Sequence, residues 1–385
     1  MNYNPLFNTG VIMKINTKIL LLCMMGVGTQ ASALALDYSG NVRLGGQYHD
    51  SQRSGNDISL GGSIHAQTKP IEGVSFGATF HTSNAIFDKN DANGVTFFAK
   101  DGASYSLLLE AYIQMALDNT ILTLGRQILD TPFVDSDDIG MIPNAFEAYT
   151  LINHDISDST IIYSYLRNMA GVDADVAERF TAVNDGSGAH MLGALYEGLD
   201  DVAFSAWFYA LPHVANFFYV EGEYSGNIDG FSYSILAQGA LQAFREAERA
   251  KVLGFATTIG HEKSALALSL AYDKSFDGAA VNGFGGGPYF VNCEHMTLED
   301  VGKDGSIFVG ALEWDASAYK TGLHFSLAKA FLRNKDGNKG NEIDFVLGYV
   351  ASETLSFDAI YSTLDNSKIS GDKFDNIRMF ANYSF

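Results

Sequence analysis

Apolar and polar residues alternate along this chain with a period of two, from residue 37 to the C-terminus. In the first such segment Val42 and Leu44 fall on one face, whereas Arg43 and Gln47 fall on the other. Alternation over segments of about ten residues is typical of β-strands with one apolar and one solvated face. The pattern predicts eighteen strands, near residues 37–48, 58–67, 74–81, 105–117, 121–128, 146–154, 159–169, 190–198, 202–211, 216–224, 230–240, 251–261, 264–273, 306–314, 319–331, 342–351, 354–364 and 374–385.

The connections between these segments alternate in length. Some are tight turns, whereas long connections lie at 84–104, 129–145, 170–189, 274–305 and 365–373. Short turns at one end and long loops at the other are the layout of an outer-membrane barrel. A soluble β-sandwich would also show alternation, but its strands average about 5–6 residues and its loops need not alternate in length. The sequence therefore predicts an all-β fold, a transmembrane antiparallel β-barrel of eighteen strands.

The N-terminus has the three parts of a secretory signal peptide. A basic start at residues 13–18 precedes an apolar core from Ile19 to Met25 and the small-x-small sequence Ala33-Leu34-Ala35. The apolar core is too short to span a membrane as a mature helix. We therefore expect residues 1–35 to be removed as a signal peptide.

Cleavage there would leave residues 36–385 as the barrel domain, and translation from Met13 is an alternative because residues 1–12 are uncharged. Loss of the two leader lysines takes the formal net charge from −21 to about −23, and so acidic a chain is not expected to bind nucleic acid. Beyond the leader, no stretch approaches the roughly 18 consecutive apolar residues that a spanning helix needs. Cys293 is the single cysteine outside the leader, so no intramolecular disulfide is expected.

The last predicted strand alternates up to a C-terminal aromatic residue, Phe385. An apolar last strand that pairs with the first removes both open edges of the sheet, which hydrocarbon does not tolerate. A terminal Phe also resembles the signal that bacterial outer-membrane barrels present to their insertion machinery. We expect outer-membrane lipid and that machinery to be partners of the protein, the latter through Phe385.

One long connection, between Gln127 and Phe146, combines two prolines with four acidic residues. A loop of this length between short hairpins is usually functional. The prolines fix φ and donate no N–H, so the segment should hold a shape without joining a sheet. In a barrel such a loop can lie over the mouth or fold into the lumen. Its acids are Asp130, Asp135, Asp137 and Asp138.

The motifs of this stretch resemble the outer-membrane porin D (OprD) family. They are Leu124-Gly125-Arg126-Gln127, Asp130-Thr131-Pro132, Ser136-Asp137-Asp138-Ile139, Met141-Ile142-Pro143-Asn144 and Phe146-Glu147. The resemblance implies an 18-stranded barrel in the bacterial outer membrane whose third extracellular loop folds inward as a constriction. It also implies passive uptake of small solutes such as amino acids and carboxylates, by a monomer or a loose homotrimer. The count of connections places residues 129–145 in that third loop.

In a barrel of 16–18 strands the lumen is a water-filled channel, and charges at its narrowest part set selectivity. By alternation Arg43 and Arg378 point inward on the first and last strands, and Lys320 falls on the polar face of its strand. These basic residues could form a wall opposite the acidic loop. Arg126 shares the parity of Leu124 and faces inward only if Gly125 carries a bulge or the strand has ended. Glu110, Asp344 and Asp358 are predicted lumen acids.

Other classes of function have weaker support in the sequence. Outer-membrane lipases and proteases use a Ser/His or Asp/His constellation, whereas the nine histidines here are scattered. Cys293-Glu294-His295 lies in the longest loop, but two potential ligands two residues apart are weak evidence for zinc. A ligand-binding surface barrel would be expected to carry long repeated or basic loops. We therefore expect a channel with no catalytic role, no cofactor and no metal.

Overall fold

The computed structural model describes residues 36–50, 55–88, 97–99, 101–319 and 322–385. The signal peptide expected at residues 1–35 lies outside the described residues. Within them, eighteen long strands form one closed antiparallel sheet, to which a two-residue strand in one of the loops is added. In chain order, β1–β18 are Leu36–Asp50, Gly55–Thr68, Val74–Asp88, Tyr105–Leu117, Thr120–Gln127, Ala145–Asn153, Ser159–Ala170, Ala189–Leu199, Val202–Leu211, Ala215–Ile228, Phe231–Phe244, Ala250–His261, Leu266–Phe276, Ser306–Asp315, Leu323–Arg333, Lys339–Val350, Leu355–Asn366 and Asp372–Ser384. The predicted strand count and fold class are confirmed.

The barrel closes where the first strand pairs with the last. The antiparallel register places Arg43 opposite Asn382 and Gln47 opposite Arg378. Beyond β18 the chain continues the ladder, because the backbone N–H of Phe385 donates to the carbonyl of Gly40 at 3.0 Å. The sheet therefore has no free edge at the seam, as the alternating C-terminal segment predicted.

The two faces of the sheet differ as the alternation predicts. Large apolar side chains are exposed on the outer face, and the polar residues between them point into the barrel. An apolar exterior of this extent is stable against lipid rather than against water. No helix in the described part of the chain is long and apolar enough to cross a membrane. Examples of the exposed outer-face residues are Val42, Leu44, Leu60, Ile64, Phe76, Phe208, Leu253, Phe255, Leu268 and Phe331.

The connections divide between the two ends of the barrel. At one end the turns include the two-residue pairs Asp118-Asn119, Asp200-Asp201 and Asp229-Gly230, in which an aspartate adopts positive φ. Such conformations match the twist of a hairpin. The other end carries long connections, among which are loop 3 (residues 128–144), loop 4 (residues 171–188) and loop 7 (residues 277–305).

Short helices and a short strand occur within the connections. Loop 4 contains the two-residue strand Thr181–Ala182, which pairs with β7, and the 3₁₀ turn Val183–Gly186. Loop 7 contains the one-turn helix Leu298–Val301, and Ala316–Tyr319 forms a 3₁₀ turn after β14. Apolar side chains from loops 3 and 7 pack with inward-facing residues of the strands in one buried cluster. The packed interior therefore belongs to the loops and the inner wall together.

Candidate pore constriction

Loop 3 begins with a tight turn that its first proline stabilises. The backbone N–H of Thr131 donates to the carbonyl of Val134 at 2.7 Å, and the reverse bond is 3.2 Å long. Pro132 follows Thr131, at the turn position where its fixed φ is favoured.

Phe133 anchors loop 3 to the inner wall. It is 1% exposed and its ring lies 5.3 Å from that of Tyr209 on β9 and 5.1 Å from that of Phe217 on β10. Tyr219 on β10 and Tyr289 of loop 7 complete the cluster at 6.0 and 6.3 Å. Edge-to-face pairs at these spacings add to the stabilisation from burial alone.

Asp135 joins loop 3 to loop 7. Its Oδ1 accepts from the backbone N–H of Gly286 at 3.2 Å and its Oδ2 from that of Gly287 at 3.2 Å. Gly285 has a φ of +140°, and a side chain there would collide with the same carboxylate. Burial raises the pKa of Asp135 to about 6, although the backbone N–H donors act in the opposite direction. The glycines at 285–287 of loop 7 therefore leave room for the Asp135 carboxylate and bind it through their backbone N–H groups.

Asp137 lies at a second junction, between loop 3 and loop 4. Its pKa is raised well above the ordinary range, first by burial and then by the charge of Asp173. Asn144 at the end of loop 3 fixes Asp173 in place, because its Nδ2 donates to Asp173 Oδ2 at 2.6 Å and its Oδ1 accepts from the backbone N–H of Asp173 at 3.0 Å. Asp135 and Asp137 are thus partners in loop packing and not free charges.

Asp138 has a different role, because it pairs with a basic residue of the wall. Arg43 Nη1 lies 3.0 Å from Asp138 Oδ1 and also donates to the carbonyl of Gly140 at 2.6 Å. On the other side, Arg43 Nε donates to Asn382 at 2.8 Å. The Asp138 side chain is 42% exposed, so a negative charge of loop 3 remains accessible to solvent here.

Arg378 is held between two loops. Its Nη1 donates to the carbonyl of Ile139 in loop 3 at 2.9 Å, and its Nη2 pairs with Glu294 of loop 7. The residue is only 4% exposed. Of the two arginines that alternation pointed inward, Arg378 therefore fixes the loops, and Arg43 keeps the more accessible ion pair.

The remaining candidates are not brought to this junction. Asp130 is exposed and its Oδ1 caps the backbone N–H of Ser136 at 3.0 Å. Lys320 lies outside the described residues. Arg126 does not take the inward direction that a bulge at Gly125 would have given it. Strand β5 pairs with both neighbours without a register shift, so Arg126 faces outward like Leu124, and its guanidinium carbon lies 4.4 Å from the ring of Phe180.

The predicted lumen acids occupy the inner wall. Glu110 accepts from Thr79 and lies 3.9 Å from His65. On the other side of the seam, Asp358 accepts from Asn382 at 3.3 Å. Asn382 Oδ1 also accepts a hydrogen bond from Arg43 Nε. A polar network therefore connects Asp358 with the Arg43–Asp138 ion pair.

Sequence reasoning missed the part played by loop 7. The backbone carbonyl of Phe284 accepts from the backbone N–H of Asp135 at 3.1 Å, and the Glu294 carboxylate forms an ion pair with Arg378. A signal was present, because Gly283 to Pro288 is a glycine-rich run in the longest connection. Such a run allows a close approach of backbone to another group, but it does not say to which.

The strands form a closed antiparallel barrel with loops packed against its inner wall, and comparison with solved structures gives the same fold. Pseudomonas aeruginosa OccK9 (OpdG) matches with a TM-score of 0.80 at 16% identity, over 91% of this chain and 98% of that one. A BenF-like porin from Pseudomonas fluorescens Pf-5 matches with a TM-score of 0.80 at 14% identity, over 91% and 98%. Pseudomonas aeruginosa OpdK, solved with vanillate, matches with a TM-score of 0.74 at 13% identity, over 90% and 98%.

These neighbours are OprD-family outer-membrane porins. The resemblance drawn from the loop 3 motifs is therefore confirmed at the level of the fold. No protein-family model and no curated protein sequence matches the chain.

Proposed function

We propose that the protein is a porin of the bacterial outer membrane, through which small water-soluble solutes such as amino acids or carboxylates diffuse passively. Loop 3 is the constriction in this proposal. The observation that carries it is the set of contacts between loop 3 and inward-facing residues, chiefly Arg43 and Arg378, on the two strands at the seam. A loop with these contacts leaves less of the lumen to water.

The charges at this place support selection of charged solutes. The accessible acid Asp138 lies beside the cation of Arg43, with Asp358 nearby on the same network. Charges this close act strongly on a solute that passes within about 8 Å, the screening length at physiological salt. A zwitterion or a carboxylate can orient in such a field, whereas a neutral solute of equal size gains no electrostatic stabilisation.

A solved structure of the same fold supports the carboxylate part of the proposal. OpdK was solved with vanillate, which is an aromatic carboxylate. Arginine is the side chain that recognises a carboxylate with parallel hydrogen bonds. Arg43 is the basic residue at the candidate constriction that keeps solvent exposure in its side chain.

Planar-bilayer recording of the purified protein tests the proposal. The parent should form ion-conducting channels, and deletion of residues 131–143 should raise the single-channel conductance because the loop no longer narrows the lumen. A protein that inserts in folded form and does not conduct would contradict the porin function. Equal conductance of the parent and the deletion variant would place the constriction elsewhere.

Assays for lipase and protease activity on the same detergent-solubilised protein address the alternative of a barrel enzyme. The proposal requires that neither activity exceeds that of a heat-unfolded sample. Turnover by the folded protein alone would favour the enzyme over the channel.

A further inference from the structure

Loop 7 brings a thiol to two acidic residues of the barrel wall. The Sγ of Cys293 and one carboxylate oxygen each of Glu342 and Asp344 lie within 4.8 Å of one another. Glu342 and Asp344 are neighbours on the inward face of β16, whereas Cys293 is about 50 residues earlier in the chain. The cluster is therefore a product of the fold and not of a local motif.

The two carboxylates are buried without compensating charge. Glu342 is fully buried and Asp344 is 5% exposed. One oxygen of each accepts a backbone N–H of loop 7, from His295 at 2.8 Å and from Glu294 at 3.4 Å. The other oxygens, Glu342 Oε2 and Asp344 Oδ1, accept from no donor in the described residues, and the two carboxyl groups lie within hydrogen-bonding reach of each other.

No basic side chain in the described residues forms an ion pair with either acid. Arg378, on β18, is engaged by Glu294 and by the carbonyl of Ile139. Two carboxylates that face each other in a buried place require a positive charge between them, either a shared proton or a cation.

The position of the Cys293 thiol favours a cation over a shared proton. A proton shared by Glu342 and Asp344 would use both free oxygens and would give Cys293 no role. All three groups are instead gathered around one point, and Cys293 remains partly accessible. A thiolate with two carboxylates is a donor set that borderline-soft divalent ions such as Zn²⁺ accept.

We propose that Cys293, Glu342 and Asp344 bind a divalent transition-metal ion of the Zn²⁺ type, which ties loop 7 to the barrel wall. Zn–S bonds of about 2.3 Å and Zn–O bonds of about 2.0–2.2 Å place tetrahedral ligands about 3.5 Å apart, so the cluster contracts slightly when the ion enters. Binding displaces the thiol proton to solvent, because the thiolate is the ligand. Water fills the fourth position.

The histidine of the same loop motif is not a ligand. His295 Nε2 is within 2.8 Å of Ser362 Oγ and 3.2 Å of Asn376 Nδ2. The imidazole ring is therefore hydrogen-bonded to side chains of β17 and β18. The sequence spacing of Cys293 and His295 was weak evidence for zinc. In the proposed site Cys293 is a ligand, but its partners are Glu342 and Asp344 instead of His295.

Cobalt binding to the folded protein in detergent tests the site, because a Co²⁺–thiolate bond has a near-ultraviolet charge-transfer band. The chelator-treated protein should take up a single equivalent of Co²⁺ with this band, and Zn²⁺ should displace it. Cys293→Ser should abolish the band. Glu342→Gln and Asp344→Asn should each weaken binding by about 100-fold or more, since loss of an outer-shell partner alone costs about 10–100-fold.

Glu221→Gln is the matched control, because Glu221 on β10 accepts from Tyr219 and is not one of the three clustered groups. It should bind Co²⁺ like the parent. The heat-modifiable mobility of each variant in electrophoresis shows whether it has folded. If the folded parent binds no Co²⁺ above the level of Cys293→Ser, or binds it without the thiolate band, the acids share a proton and the metal site is excluded. This test is independent of transport, so it can fail while the porin proposal stands.

Discussion

Arg43 on the first strand and Asp138 in loop 3 form an ion pair with Nη1 3.0 Å from Oδ1, although 95 residues separate them in the sequence. The pair joins the closing seam of the barrel to the loop that lies between β5 and β6. Because Asp135 and Asp137 are engaged in packing and Asp130 caps a backbone N–H of the loop itself, this pair is the place where a single charge change should alter solute selection with little effect on folding.

Asp138→Asn should shift the reversal potential in a salt gradient toward anions, because it removes an exposed negative charge beside Arg43. The free energy of unfolding should change by less than about 1 kcal/mol, the usual upper value for an exposed ion pair. Asp158→Asn is the control, since Asp158 is an exposed acid in a turn at the other end of the barrel. An equal shift in both variants would mean that the selectivity does not arise at loop 3.

Phe133→Ala should release loop 3 from the wall. Removal of a buried Phe side chain costs about 3–5 kcal/mol, and the loop loses the ring that packs against β9 and β10. We expect higher single-channel conductance and faster protease cleavage between residues 130 and 144. The matched control is Phe208→Ala, because Phe208 is an outward-facing residue on β9 with 43% exposure. Unchanged conductance and cleavage in Phe133→Ala would show that the aromatic cluster does not hold the loop.

The docking of loop 3 on loop 7 should weaken as pH rises through about 6. Burial raises the pKa of Asp135 to about 6 in the docked loop, whereas an exposed aspartate titrates near 3.9. The docked state therefore binds the proton more tightly, so its stabilisation is complete below about pH 4 and is lost between there and pH 6. Hydrogen exchange of the loop 3 amides, corrected for the intrinsic pH effect, measures this directly.

Asp135→Asn should remove that dependence, because the amide keeps an acceptor oxygen for the backbone of loop 7 but does not titrate. Asp137 keeps its carboxyl group in the variant, and its effect should persist at higher pH, since burial and then the charge of Asp173 raise the pKa of Asp137 further. If the parent and Asp135→Asn show the same protection profile between pH 4 and 7, Asp135 is not the titrating group.

Phe385→Asp should lower the amount of folded protein in the membrane without changing the conductance of the molecules that insert. The ring of Phe385 covers Gly40 on β1, and their backbones exchange two hydrogen bonds of 3.0 Å. A charge on the lipid-facing side costs up to about 2–4 kcal/mol at mid-depth and less near the interface. Immunoblots of membrane fractions with and without heating measure assembly, and Phe385→Tyr is the conservative control. Normal levels of Phe385→Asp would contradict a role of this residue in assembly.

The strands of this protein were determined by the sequence alone. An alternation with a period of two predicts both the strand and the face to which each residue belongs, because a slip of one residue would turn every apolar side chain into the lumen. Lipid outside and water inside make that penalty large, so eighteen segments and the pairing of the first with the last could be predicted. The same rule gave the inward direction of Arg43 and Arg378 and the outward parity that Arg126 retains.

The tertiary structure decided what the loops do. Asp135 meets Gly286 across 151 residues, and Cys293 meets Glu342 and Asp344 across about 50. No periodicity records such contacts, because loops have no repeating geometry and their partners are brought near only when the barrel closes. The four acids of loop 3 look equivalent in the sequence. Packing alone separates the half-buried Asp135 and Asp137, whose charges are costly, from the exposed Asp138, whose charge a solute can approach.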